Sequence, residues 1–187
     1  LAETHNTNLT AVGPTVMFAY ISERNIESML IGTLIAVFLI SGVILIALRD
    51  IQLGLISLIP NLLPAALAFG VWGALVGQVN MAVAVVAGMA LGVVVDDSVH
   101  FLTKYQIARR ELKLTARDAV ISAFNGVGTA LVVTTLILVA GFAILAQSSF
   151  GVNSYMAMLT AIALVIALIA DLTLLPALLI VLDKDKP

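Results

Sequence analysis

The chain has 187 residues, of which 61% are hydrophobic and only 11% charged, with a formal net charge of -2 and no cysteine. Soluble domains carry about 25% charged residues, so this composition, with a mean hydropathy of +1.15, is that of an integral membrane protein. The small net charge excludes a nucleic-acid-binding face. The lack of cysteine excludes disulfides and thiolate metal sites.

Leu1 is not an initiator methionine, and no basic segment precedes a short apolar run. The start therefore reads as the interior of a longer protein rather than as a signal peptide. Residues 1–28 are polar. Within them Thr15-Val-Met-Phe-Ala-Tyr20 has the composition of a strand, and Ser22-Glu-Arg-Asn-Ile-Glu27 that of a capped helix start. The expectation is the α/β end of an extracytoplasmic domain with a lead-in helix. An Asn8-Leu-Thr10 sequon lies in this stretch and carries weight only in a secretory eukaryotic host.

Five apolar segments follow, at about Met29 to Leu48, Ile51 to Val76, Met81 to Tyr105, Ala119 to Ala146 and Tyr155 to Leu182. Each reaches the roughly 20 residues that a spanning helix needs. They predict an all-α transmembrane bundle of five helices over residues 29–182, with a cytoplasmic tail at 183–187. Pro60, Asn61 and Pro64 interrupt the second segment and predict a kink whose freed carbonyls need other partners. Between the third and fourth segments, Ala108 to Val120 has helical amphipathic spacing, compatible with a short helix on the inner leaflet. Its basic residues serve chiefly to orient the protein. If Arg49, this connection and the Lys184 and Lys186 tail face the cytoplasm, every basic residue but Arg24 is inside. The N-terminal segment is then extracytoplasmic and the protein multi-pass in the cell (inner) membrane.

The chemistry is concentrated in the third segment, where Asp96 and Asp97 are adjacent. A charge in hydrocarbon costs at least ~2.5 to 3.5 kcal/mol on insertion scales, so a doubled one points to function. Ala84, Gly88, Gly92, Asp96 and His100 recur every four residues and share one slowly rotating helix face. Gly88 and Gly92 have the spacing of close helix contacts, as do Gly73 and Gly77. The acidic face is accordingly expected to point into the bundle. Helical rise of ~1.5 Å per residue puts Asp96 roughly 12 Å from Lys104 and Asp171 roughly 16 Å from Leu182, at comparable levels. Two acids on such a stripe repel each other and lose hydration, the conditions under which a carboxyl group exchanges protons near neutral pH. His100, one turn from Asp96, could relay or tune a proton. Asp171 could do the same, or serve structurally by bonding a backbone group or the Thr173 region. Every Lys and Arg maps to loops, ends or the N-terminal stretch, so no internal cation is in view. By rise alone, Asn125 and Thr129 of the fourth segment match the acids best.

The order Ile59-Pro-Asn-Leu-Leu-Pro64, Gly92-Val-Val-Val-Asp-Asp-Ser-Val-His-Phe101, Thr134-Thr135 with Gly141-Phe142, and Ala170-Asp-Leu-Thr-Leu-Leu-Pro-Ala-Leu-Leu179 closely resembles the resistance-nodulation-division (RND) superfamily. Within it the match is best to MMPL-type hydrophobe exporters, whose helices are related to the sterol-sensing domain. The resemblance covers about Val12 to Leu182. It implies a twelve-helix transporter of two six-helix halves, of which this chain is similar to helices two to six of the second. It also implies that Asp96 and Asp97 exchange protons as proton influx drives export of lipids or drugs. Thr134 and Thr135 become the expected hydroxyl neighbours, while Asp171 and His100 join the candidate proton relay on the depth and spacing given above. Multidrug members also carry a basic relay residue near this position, and this sequence has none.

The implied partners are membrane lipids, a hydrophobic small-molecule or lipid substrate, the other half of the transporter and a possible second copy. Nucleic acid, metal and cofactors are not expected. A lipid- or sterol-sensing scaffold without active transport is the alternative. An intramembrane aspartyl protease is the third class, but those enzymes use Gly-x-Gly-Asp with Tyr-Asp. Here Val94-Val95 precede Asp96 and Ala170 precedes Asp171, so an enzyme is not expected.

Overall fold

A computed structural model describes residues 13–75, 77 and 81–183. These form helices α1 (Pro14–Leu48), α2 (Ile51–Leu75), α3 (Met81–Arg110), α4 (Ala116–Ala123), α5 (Thr129–Leu145), α6 (Gly151–Ile169) and α7 (Leu175–Leu182). Widened π turns at Phe124–Gly128 and Ala170–Leu174 join α4 to α5 and α6 to α7. The result is five rods and, among the described residues, no strand. Windows long and apolar enough to cross a membrane fall at Glu27–Ile46, Ile51–Ala74, Ala116–Leu145 and Gly151–Leu182. The acid-bearing α3 is packed among these four rods, touching α1, α2, α4 and α6.

Several boundaries differ from expectation for local reasons. Thr15 to Tyr20 is not a strand and Ser22 does not start a helix, because both lie inside α1. Pro14 at the first turn presets φ, and its missing N–H is one the helix start does not use. The fourth span begins earlier than Ala119. Thr115 caps α4, its hydroxyl oxygen accepting the Asp118 N–H at 3.2 Å while donating to Asp118 Oδ2 at 2.8 Å. The amphipathic helix expected from Ala108 to Val120 is thereby divided. Its first part is the end of α3, its last part is α4, and residues 111–115 are a short connector. The fifth span begins at Gly151 rather than Tyr155. The Asn8 sequon and the tail from Lys184 lie outside the described residues.

The prolines shape two rods differently. Helix α2 runs through both Pro60 and Pro64, which leaves the carbonyls of Ile56 and Pro60 without their usual donors. In the last rod Pro176 withholds the N–H that would reach Leu172, and the widened turn lies immediately before it. That turn contains Asp171.

Two apolar clusters hold the bundle. One gathers Phe101, Leu102 and Tyr105 of α3 with Ile44, Leu48, Ile56, Val120, Leu131 and Leu175. The other joins Trp72, Val86, Ala90, Leu159 and Ala163. Edge-on aromatic pairs reinforce both, Phe101 with Phe124 at 5.0 Å and Trp72 with Tyr155 at 5.7 Å. The outward faces of α1 and α5 are equally apolar, with Phe38, Ile46, Ile137 and Ile144 exposed, as a lipid-facing surface requires.

The small-residue contacts are only partly where spacing put them. A methyl group on Gly88 would meet Thr33 Oγ1 at 3.7 Å, so Gly88 does face α1. Gly92 and Gly73 have nothing within 4 Å of that position among the described residues, so neither marks a close helix contact there. Gly77 has φ +69 and its N–H reaches back to the Trp72 carbonyl at 3.4 Å, the role of a helix-ending glycine. The close approach between α1 and α2 is instead at buried Gly54, where a methyl group would collide with Leu45.

Candidate functional site

Residues 96, 97 and 98 follow one another on α3, so helical geometry turns each about 100° from the last. The three side chains consequently enter three environments. Asp96 projects into an open groove between α3 and α5, with a side chain 74% exposed in this chain. Asp97 is half-buried and turns toward α5, where Thr135 Oγ1 donates to its Oδ2 at 3.4 Å. Ser98 is fully buried and points to the last rod, donating to Asp171 Oδ1 at 2.7 Å.

The groove has a volume of about 310 Å³ and is lined by Asp96, Asp97, His100 and Thr134 together with Val127 and Leu138. His100 Nε2 stands 3.7 Å from Asp96 Oδ1, one helical turn away and similarly exposed. The expectation that the stripe through Gly92, Asp96 and His100 points into the bundle is therefore corrected. A four-residue repeat advances about 400° on a helix, so the stripe drifts by about 40° per step. Gly88 still faces α1, whereas Asp96 and His100 have rotated out to the groove. The interior is filled by another α3 face, that of Val86, Ala90, Val94 and Phe101.

Asp171 is the most enclosed acid, 2% exposed. The widened turn places it against α3 beside Ser98, within electrostatic reach of Asp97. Of the two roles open to it, bonding to its own backbone or to the Thr173 region is not what the structure shows. Thr173 bonds back to the Ile169 carbonyl, and Asp171 is cross-linked to another helix. Its second oxygen, Oδ2, has no hydrogen-bond partner among the described residues. Buried acceptors left unpaired are rare and costly.

The two threonines separate sharply. Thr135 is buried and meets Asp97, whereas Thr134 is exposed in the groove and returns its hydroxyl to the Ala130 and Leu131 carbonyls. Asn125 and Thr129 are exposed and do not reach the acids. Counting rise from the connector fails here because α3 extends to Arg110, the facing rod starts at Ala116, and a π turn intervenes. The two rods do not climb in register.

Two buried polar residues take their significance only from the structure. Ser98 stands within the acidic motif, but only the packing of the last rod against α3 shows what it bonds. Asn61, buried between Pro60 and Pro64, has both amide atoms without a partner among the described residues. Its apolar neighbours on both sides are the available signal. Among the described residues none of the bonds to Asp97 or Asp171 comes from a lysine or arginine; their partners are hydroxyls. Among the described residues no three His, Asp or Glu side chains converge as metal ligands.

The arrangement is thus a membrane-level set of three carboxyl groups and an imidazole, with hydroxyls on Asp97 and Asp171, His100 beside Asp96, and no lysine or arginine bonded to any of the three acids among the described residues. A protein of Methanocaldococcus jannaschii, named simply as a membrane protein, is 26% identical to this chain over 174 residues, covering 93% of the chain and 45% of the relative. The chain spans about half the length of that relative. The MMPL family profile matches residues 1–186, and the chain belongs to the MMPL family of membrane proteins.

Proposed function

We propose that this chain is the proton-coupling bundle of an exporter that moves hydrophobic or amphiphilic molecules across the cytoplasmic membrane, driven by the proton-motive force. The observation that carries the reading is that Asp97 and Asp171 take their side-chain hydrogen bonds from hydroxyls, Thr135 and Ser98, and from no lysine or arginine among the described residues. An acid held by an arginine stays ionised, whereas one held by a hydroxyl can gain or lose a proton without stranding a buried cation. Hydroxyls suit both states, since they donate to a carboxylate and accept from a carboxylic acid.

In this mechanism a proton enters from the groove, where Asp96 and His100 are accessible, and reaches Asp97. Neutral Asp97 no longer needs the Thr135 hydroxyl as donor, which loosens α3 from α5. Ser98 and Asp171 hold α3 to the last rod, so the movement passes to that rod at its widened turn, where the helical ladder is already relaxed. Proton release on the other side resets the contact. The substrate path and the extracytoplasmic domains that choose the cargo belong to the rest of the protein.

The exposure of Asp96 and His100 supports a second partner as well. A bare carboxylate facing lipid tails is unfavourable, and the groove between α3 and α5 is the surface on which the other half of the transporter would lie. The α1–α2 turn with Arg49, the end of α3 with Arg109 and Arg110, and the end of α7 share one end of the bundle, as the Arg110 to Asp50 and Arg109 to Asp183 pairs require. The positive-inside rule makes that end cytoplasmic.

The test uses the full-length protein in sealed vesicles under a pH gradient. Asp97→Asn is expected to abolish proton-coupled export while the protein still folds and binds its cargo. Export that persists in both Asp96→Asn and Asp97→Asn would falsify the mechanism.

A further inference from the structure

At the end of the bundle remote from the Asp97 site, the α1–α2 turn, the α3–α4 connector and the end of α7 enclose a cavity of about 410 Å³. Its polar walls include Asp50, Gln106, Arg109, Arg110, Lys113 and Asp183. The two acids of this cavity are occupied. Asp183 Oδ2 accepts from the Tyr105 hydroxyl at 2.6 Å and from Arg109 Nε at 3.0 Å. Asp50 Oδ1 accepts the N–H groups of Gln52 and Leu53, capping α2, and its Oδ2 accepts from Arg110 at 3.1 Å. One carboxylate thus balances each guanidinium, and Lys113 is left over.

Lys113 is exposed and has no partner among the described residues. It stands in the left-handed region with φ 52, and Arg49, next to Asp50, does so with φ 47. These are the two non-glycine residues with positive φ among those described. Arg110 is half-exposed and spends only its Nη2 group, on Asp50 and on the Arg49 carbonyl at 3.5 Å. The remaining face of its fork is available to a planar or tetrahedral oxyanion.

What surrounds the cavity narrows the ligand. Ile46 and Ile51 near the turn and Val181 and Leu182 at the end of α7 are exposed. The Gln52 side chain ties this collar together by donating to the Leu182 carbonyl at 2.8 Å. A surplus cation and an unused guanidinium edge therefore sit beside apolar surface, at the level where spans end. A free phosphate uses only the charge; a phospholipid uses both. We propose that this cavity is a headgroup site for an anionic phospholipid, its phosphate held by Arg110 and Lys113 and its acyl chains lying along the apolar collar. The lipid is a resident ligand rather than cargo, and the site stands whether or not the acids within the spans carry protons.

Full-length protein in nanodiscs provides the test. Replacing phosphatidylcholine by phosphatidylglycerol is expected to raise the unfolding midpoint by about 5 °C, the effect of a ligand near saturation. Native mass spectrometry should show one retained anionic lipid. The Arg110→Gln, Lys113→Gln double variant is expected to lose at least half of that shift and the retained lipid. A variant of equal charge loss outside the cavity, Lys104→Gln with Arg117→Gln, should keep both. Equal behaviour of the two double variants would overturn the site in favour of diffuse surface charge. So would a shift reproduced in detergent by millimolar inorganic phosphate, which would mark a soluble-anion site, or no shift at all. Should the Arg110 and Lys113 double variant fail to fold, Lys113→Gln alone decides the matter by lipid retention, because that side chain supports nothing else.

Discussion

Asp97 and Asp171 lie within the spans and are met by hydroxyls, whereas Asp50 and Asp183 lie at the bundle's end and are met by arginines. The same residue type thus works under opposite conditions. At the end, guanidinium groups pair with the carboxylates, which act as staples between chain segments. Inside, no lysine or arginine among the described residues is bonded to the acids, and the proposed mechanism uses a proton as their neutraliser. The contrast teaches that the partners an acid meets, as well as its depth, distinguish the two sets of carboxyl groups, and the proposed coupling rests on that distinction.

The comparison can be broken most directly at Asp97. Asp97→Asn should lower pH-gradient-driven export about 100-fold or more, the scale of losing a positioned proton-transfer group. Asp183→Asn should leave export within about twofold under the same assay. Similar losses in both would erase the distinction. Ser98→Ala comes next. It strips the buried Asp171 of its donor and should cost about 1 to 3 kcal/mol in unfolding free energy, read as a lower denaturation midpoint in detergent, with Ser98→Thr recovering part of it.

Smaller effects sharpen the picture. Thr135→Val removes the hydroxyl that reaches Asp97 while keeping the shape, and should slow export about fivefold, in keeping with roughly 1 kcal/mol for one hydrogen bond. Thr134→Val should leave the rate nearly unchanged, since that hydroxyl serves only its own helix. Smallest of all, Asp50→Asn keeps the α2 cap but removes the exposed pair with Arg110. Its cost should stay within about 0.5 kcal/mol and shrink further in high salt, as measured by thermal unfolding at two ionic strengths.

Much of the site is legible in the amino-acid order. Asp96, Asp97 and Asp171 stand out because charged residues are so costly among apolar ones, and the fold brings Asp171 beside Ser98 and Asp97 as their matched depths imply. The orientation of Asp96 is not legible. Gly88 and Gly92 suggest a packed face and so an inward stripe, yet only Gly88 meets a neighbour, and the drift of the repeat carries Asp96 and His100 out to the groove. Thr135 emerges from the family resemblance rather than from counting rise. Rise from a connector assumes that two rods start level, and these do not.

Hydropathy and spacing by themselves determined the membrane class, the five rods, the acidic positions and the lack of an internal cation, because each depends on composition or on local periodicity. Only tertiary packing decided which acid meets which hydroxyl, that Ser98 rather than Thr173 partners Asp171, and which acid faces the groove. Those outcomes depend on helix rotation and vertical offset, which arise from long-range contacts such as Phe101 against Phe124 and Trp72 against Tyr155. Adjacent residues on a helix differ by about 100° in direction. A small rotation set by such packing therefore separates a buried carboxyl group from an exposed one.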